Sequence, residues 1–215
     1  MIKIAIAGPD GSGKSTLCKK LNEHYVNSKV IHAVKHSDHF LITTTWGYRL
    51  LKKSKSYGII IERLTKYLIF YPLEYIENLR RFSFNENIHI YDRHPIDRVI
   101  LKFEFKLKRN KKKYNTILYR FELLMMSIWG WIYLNLFPKV EYLIVLLPTP
   151  KLCFERANGH YKTEAKASVK IEAYQKAIER YKKNSHDVKS VIITPEITAD
   201  KLFDQIVQHI DLRKV

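Results

Sequence analysis

The constraint that most narrows this chain lies in its first sixteen residues, MIKIAIAGPDGSGKST. An apolar run, Ile2 to Ala7, leads directly into Gly8-Pro9-Asp10-Gly11-Ser12-Gly13-Lys14-Ser15. This is the pattern G-x-x-x-x-G-K-[ST] in the context it needs, a strand before and a helix after. Each residue type has a physical task. The glycines let the backbone turn tightly and bring N–H groups close to phosphate oxygens. Lys14 can bridge β- and γ-phosphates as a point charge, and Ser15 can place its hydroxyl on Mg²⁺. The helix that begins here adds the positive end of its dipole. Gly8, Asp10, Gly11, Ser12, Gly13, Lys14, Ser15 and Thr16 are therefore the candidate nucleotide-binding residues.

The remainder of the chain alternates apolar strands with helices. Strands are expected at Ile2–Ala7, Lys29–Val34, Asn87–Tyr91, Tyr142–Leu147 and Val188–Ile193. Helices are expected at Lys14–Asn27, at Gly58–Arg81 with an interruption or kink near Pro72, at 95–110, at Tyr114–Leu136, at Pro150–Asn158, at Ala165–Asn184 and at Ala199–Ile210. Five apolar strands separated by helices predict an α/β fold: a three-layer phosphate-loop architecture with a five-stranded parallel sheet and helices on both faces. No linker, repeat or low-complexity segment divides the 215 residues, so residues 1–215 are expected to form a single domain. In such sheets ligands bind beyond the carboxyl ends of the strands. Acceptor-side helices are expected at 36–84 and 95–137, and a mobile lid at 156–168.

Asp92-Arg93-His94 follows the strand that ends at Tyr91. An acid there can hold the Mg²⁺ hydration shell, so Asp92 joins Ser15 as a candidate metal-site residue. Arg93 can bind a phosphate with its planar fork. The segment Arg156 to Glu164, RANGHYKTE, carries the turn signal Asn158-Gly159. If it closes, Arg156, His160 and Lys162 can surround the transferring phosphoryl group and exclude water. Asp10 is unusual inside a phosphate loop. It either faces the acceptor and accepts a hydrogen bond from a hydroxyl, or caps its own turn. The candidate catalytic set is Lys14, Asp10, Arg93 and Arg156.

Charge adds less. Thirty-eight Lys and Arg against twenty-one Asp and Glu give a net charge of +17. That favours polyanions without naming one. The run Lys106 to Lys113, KLKRNKKK, reads as an exposed loop, with an anion-binding role as the alternative. A nucleotide-binding protein that acts on nucleic acid through this basic surface is a further, weaker alternative, with no helix-turn-helix, finger or RNA-binding signature behind it. The apolar stretch from Leu123 to Phe137 is too short to cross a bilayer and reads as a buried helix or one facing a partner subunit; surface association with a membrane is the weaker alternative. The two cysteines, Cys18 and Cys153, fit no metal spacing and suit buried positions in a reducing cytoplasm. No signal peptide is expected ahead of a strand that begins at residue 2.

The set Gly8 to Thr16, Asp92-Arg93-His94, and Arg156, Glu164, Tyr174 and Tyr181 resembles the thymidylate kinase family in order and spacing along the whole chain. The resemblance implies an Mg²⁺-ATP-dependent kinase that passes the γ-phosphoryl group to a nucleoside monophosphate, with a lid and a homodimer packed through helices. It implies that Asp10 contacts the sugar, that Arg93 contacts phosphates and that Arg156 opens the lid segment. The acceptor side departs from the family. Val34-Lys35-His36-Ser37-Asp38-His39 stands where a Pro-x-Arg segment is usual, and Tyr71-Pro72 where an arginine is usual, with Arg63 and Arg80 displaced from it. Phosphotransfer to a non-nucleotide acceptor such as a sugar or glycan fragment is the alternative these departures leave open.

Overall fold

The computed structural model describes residues 2–32, 49–82, 88–92, 96–107, 117–184, 190–194 and 199–211. In chain order the elements are β1 (Ile2–Ala7), α1 (Lys14–His24), β2 (Ser28–His32), α2 (Ile59–Thr65), α3 (Tyr71–Phe82), β3 (Ile88–Asp92), α4 (Ile96–Leu107), α5 (Ile117–Asn135), β4 (Tyr142–Leu146), α6 (Pro150–Arg156), α7 (Glu164–Asn184), β5 (Ser190–Thr194) and α8 (Ala199–Asp211). Among the described residues the strands form one parallel sheet in the order β2-β3-β1-β4-β5. β1 is central, with Ile6 opposite Asp92 on β3 and opposite Ile144 on β4.

Alternation along the strands divides the core into two layers. Ile4 and Ile6 of β1, Ile90 of β3 and Ile144 of β4 face α1 and α8, where Leu17, Cys18, Leu21, Leu202, Ile206 and Ile210 meet them. Ala5 and Ala7, Tyr91, and Leu143 and Val145 point to the opposite face. There they meet the larger cluster built from α3 to α7, including Tyr71, Ile100, Trp129 and Tyr174. The small side chains of β1 on this face leave room for the aromatic residues above them. Strands covered on both faces read as apolar runs, which is why their positions were legible.

The interruption expected near Pro72 falls just ahead of it, between α2 and α3. A π-helical turn, Lys66–Phe70, sits between them, and Pro72 is the second residue of α3. Proline lacks the N–H that an uninterrupted helix would use, and widening the turn before it accommodates the loss. The aromatic stretches Tyr67–Tyr75 and Trp129–Tyr133 pack on one another. Trp129 Nε1 donates to Tyr67 O at 3.1 Å, and edge-to-face pairs join Tyr71 to Trp129 and Tyr75 to Tyr133. Apart from Trp131, which lies on the open side of its helix, those rings are core.

α5 is only half buried. Tyr119, Met126, Trp129 and Tyr133 point inward, whereas Leu124 (58% exposed), Ile128 and Trp131 (52% exposed) lie on an open face. By length and composition α5 also qualifies as a membrane-spanning candidate, a weak criterion that core helices of soluble proteins meet as well. α2 and the π turn leave Ile60, Ile61, Leu64 and Leu68 open in the same way. α2 and α5 are joined by the Arg63–Glu122 ion pair, Nε to Oε1 at 2.9 Å.

Candidate active site

Ala7 ends β1 and Asp92 ends β3, so the first loop and the acid arrive at the same edge of the sheet. The loop is a tight turn in which Ser12 N–H donates to Pro9 O at 3.2 Å. Two glycines make the path feasible. Gly11 has φ +80, and a Cβ there would lie 2.7 Å from Cys153 O and 3.0 Å from Ala157 N, so the loop rests directly on the end of α6. Gly13, at φ +89, is the residue before α1 and supplies no side-chain cap. The first amides of α1 thus retain their capacity for an anion.

The loop encloses its own cation. Lys14 is 6% exposed, and its Nζ donates to Pro9 O at 2.7 Å, with Ser12 Oγ at 3.5 Å. Ser15 Oγ donates to Asp92 Oδ2 at 3.0 Å, and Asp92 is 2% exposed. A hydroxyl and a carboxylate held together at a strand end are hard oxygen donors, and they fit a hydrated Mg²⁺.

These groups open onto one cleft of about 260 Å³, lined by Asp10, Gly11, Gly13, Lys14, Ser15, Thr16 and Asp92 from the sheet side. Arg156, Ala157, Asn158 and His160 close it from the other side. The sequence-derived residues therefore converge, with three qualifications. Gly8 and Ser12 shape the loop without lining the cleft. Arg93 and His94, the acceptor-side segment 34–39 and the basic run from 108 onward lie outside the described residues. The expected lid at 156–168 is shorter as a loop: Arg156 ends α6 and Glu164 begins α7, leaving 157–163 between them. Asn158 there adopts φ +45 and Gly159 φ +79, the turn that Asn-Gly announced.

Two tyrosines add contacts that spacing did not reveal. Tyr161 Oη accepts from Asp10 N–H at 3.1 Å, across 151 residues. The Tyr174 hydroxyl lies 2.7 Å from both Gly8 O and Asp97 Oδ1, and gives its single proton to one of them at a time. Burial, and next the Asp10 carboxylate, push the Tyr161 phenol above its ordinary range. Burial pushes the Cys153 thiol up to about 11, with Lys14 opposing and Asp10 reinforcing the shift. Burial likewise raises Cys18, and both cysteines are free thiols within the core.

Comparison with solved structures places this geometry. Thymidylate kinase from Candida albicans superposes with a TM-score of 0.69 over 99% of this chain and 92% of that one, at 17% identity. The chain has the thymidylate kinase fold. Deoxyadenosine kinase from M. mycoides shares it, with TM-scores of 0.60 for the complex with dCMP and dCDP and 0.56 for the complex with dATP. Identities are 16% and 18%, and the two matches each cover 98% of this chain, with 98% and 100% of the other. No protein-family model matches the sequence, and no curated protein matches it either. The thymidylate kinase fold is thus carried here by a sequence far from both neighbours, with the phosphate loop at the same strand end that the sequence pattern indicated.

Proposed function

We propose that the chain is a Mg²⁺-ATP-dependent phosphotransferase that passes the ATP γ-phosphoryl group to a nucleoside monophosphate. The observation that carries this reading is the convergence of Lys14, Ser15, Asp92 and Arg156 on one cleft at the sheet edge. Lys14 and the loop amides would hold the β- and γ-phosphates. Arg156 and Arg93 would offset charge on the group in transfer, and Asp10 would face the acceptor. An acceptor oxygen forms the new bond to the γ-phosphorus as the bond to the β–γ bridging oxygen breaks, and ADP leaves. Such a reaction needs positioning and electrostatics more than covalent help. Ser15 and Asp92 would hold Mg²⁺, which when bound neutralises phosphate charge. Both the loop and the kinase neighbours support this reading, as do the buried free thiols for a reducing cytoplasmic setting.

A second reading keeps the kinase and changes the acceptor to a sugar or another hydroxyl compound. It is favoured by the start of α3, where Tyr71-Pro72 stands in place of the arginine usual in the family the sequence resembles. Incubation with γ-labelled ATP and thymidylate, deoxyadenosine or free sugars separates the two. Label on thymidylate supports the first reading; label on sugars alone replaces it with the second. The open apolar face of α2 and α5 supports a homodimer packed through these helices.

A further inference from the structure

We infer that Tyr161 is a positioning residue for Lys14, acting through a single peptide group of the phosphate loop. This inference rests on the proposed nucleotide-binding role of that loop. The peptide is the one between Pro9 and Asp10. Its carbonyl oxygen accepts from Lys14 Nζ at 2.7 Å and from Ser12 N–H at 3.2 Å. Its N–H donates to Tyr161 Oη at 3.1 Å. A peptide unit is planar and stiff, so its carbonyl and its N–H cannot turn independently. The hydroxyl that fixes one end therefore fixes the acceptor that holds the lysine at the other.

Tyr161 is suited to the task. It belongs to the segment 157–163 that walls the cleft opposite the loop, and its ring packs against the main core. Asp10 N–H is partly buried, and a backbone donor in that setting requires a partner. The adjoining contacts hold the same stretch of chain. Gly11 lies against Cys153 and Ala157 of the α6 end, and Tyr174 reaches Gly8 O. Tyr161 engages, from outside the loop, the same peptide that touches Lys14. The position of the segment over the cleft and the direction of the Lys14 ammonium are thus one mechanical unit. Displacement of 157–163 releases Asp10 N–H, removes one anchor of the peptide while Ser12 N–H stays on its carbonyl, and loosens the lysine.

Two measurements test this. In ¹⁵N-labelled wild-type protein, exchange of the Asp10 amide is expected to be slowed relative to an unstructured peptide. Tyr161→Phe, which keeps the ring and removes only the acceptor, is expected to speed that exchange about fivefold, the worth of one ordinary hydrogen bond. The second is a double-mutant cycle read as binding of Mg²⁺ with a non-hydrolysable ATP analogue. Tyr161→Phe is expected to weaken binding about fivefold in the wild-type background and to have no effect when Lys14 is alanine. An unprotected Asp10 amide in the wild type overturns the inference without reference to any variant. So does an equal loss of binding in both backgrounds, which would mark a contact independent of the lysine, or no loss in either. A wild-type protein that binds no analogue contradicts the proposed function instead, and the exchange measurement still decides whether Tyr161 holds the peptide.

Discussion

Ser15 and Asp92 stand 77 residues apart in sequence and 3.0 Å apart in space, hydroxyl to carboxylate. β1 and β3 are neighbours in the sheet, and each delivers its residue at its carboxyl end. Under the proposed function, that one relationship gives the loop a place for both a phosphate chain and its metal.

Replacing Asp92 with Asn keeps the size and the hydrogen bond while removing the charge. The expected outcome is at least a tenfold rise in the Mg²⁺ concentration needed for half-maximal turnover, with a small change in melting temperature. Metal titration of the steady-state rate measures it. Unchanged Mg²⁺ dependence would separate Asp92 from the metal site.

Gly11→Ala should destabilise the protein. The position has φ +80, and the added carbon would meet backbone atoms at 2.7 and 3.0 Å that cannot swing aside as a side chain would. Left-handed strain alone is worth about 1–2 kcal/mol. Denaturant midpoints are expected to fall accordingly, together with ADP affinity. Gly13→Ala is the informative contrast: φ is +89 there but no atom stands within 4 Å, so strain acts without a clash and the loss is smaller.

Cys153 gives a pH dependence with a defined sign. Its thiol has an ordinary value of 9.0 and is held at about 11 in the folded chain. Between these values the unfolded thiol releases its proton while the folded one keeps it, so stability falls as pH rises through that window. Below about 9 both states keep the proton and the contribution is constant. Chemical denaturation from pH 8 to 11, with Cys153→Ala compared with wild type, should show a shallower decline in the variant. In the folded protein at pH 8 the thiol should also resist alkylation, since the thiolate is the reactive form.

The open apolar faces of α2 and α5 predict self-association. Wild-type protein should sediment as a dimer at micromolar concentration, and Leu64→Glu or Trp131→Glu should shift it to monomer without loss of helical signal. These two side chains are 40% and 52% exposed, so neither substitution disturbs the core. A monomer at all concentrations in the wild type would remove the dimer.

Much of this was legible in the sequence because buried parallel strands are apolar runs and phosphate loops have a fixed spacing. β1, the loop and α1 are local, and each residue in them follows from a short-range rule. Asp92 was legible because strand ends in such sheets form one edge. Arg156 followed from a turn signal close to a helix end. Tyr161 was not legible as a partner of Asp10, since nothing in the spacing of two residues 151 apart reports a phenol meeting a particular amide. The π turn at Lys66–Phe70 was hidden for a related reason. Pro72 signals a break in helical bonding, and the surrounding aromatic packing decides whether the chain kinks or widens to absorb it. For α5, apolar content predicted a helix that is buried or faces a partner subunit, but composition cannot tell an inward face from an outward one when both are hydrophobic.

The cleft above β1 and β3 is proposed to transfer phosphoryl groups through Lys14. Its most direct test follows label from γ-labelled ATP to an acceptor in wild-type protein and in Lys14→Ala, with folding of both checked by circular dichroism and melting temperature. The account predicts transfer by the wild type and a loss of at least about a thousandfold in a variant that remains folded, about 4 kcal/mol of transition-state stabilisation. A folded Lys14→Ala protein that transfers label at the wild-type rate would contradict it.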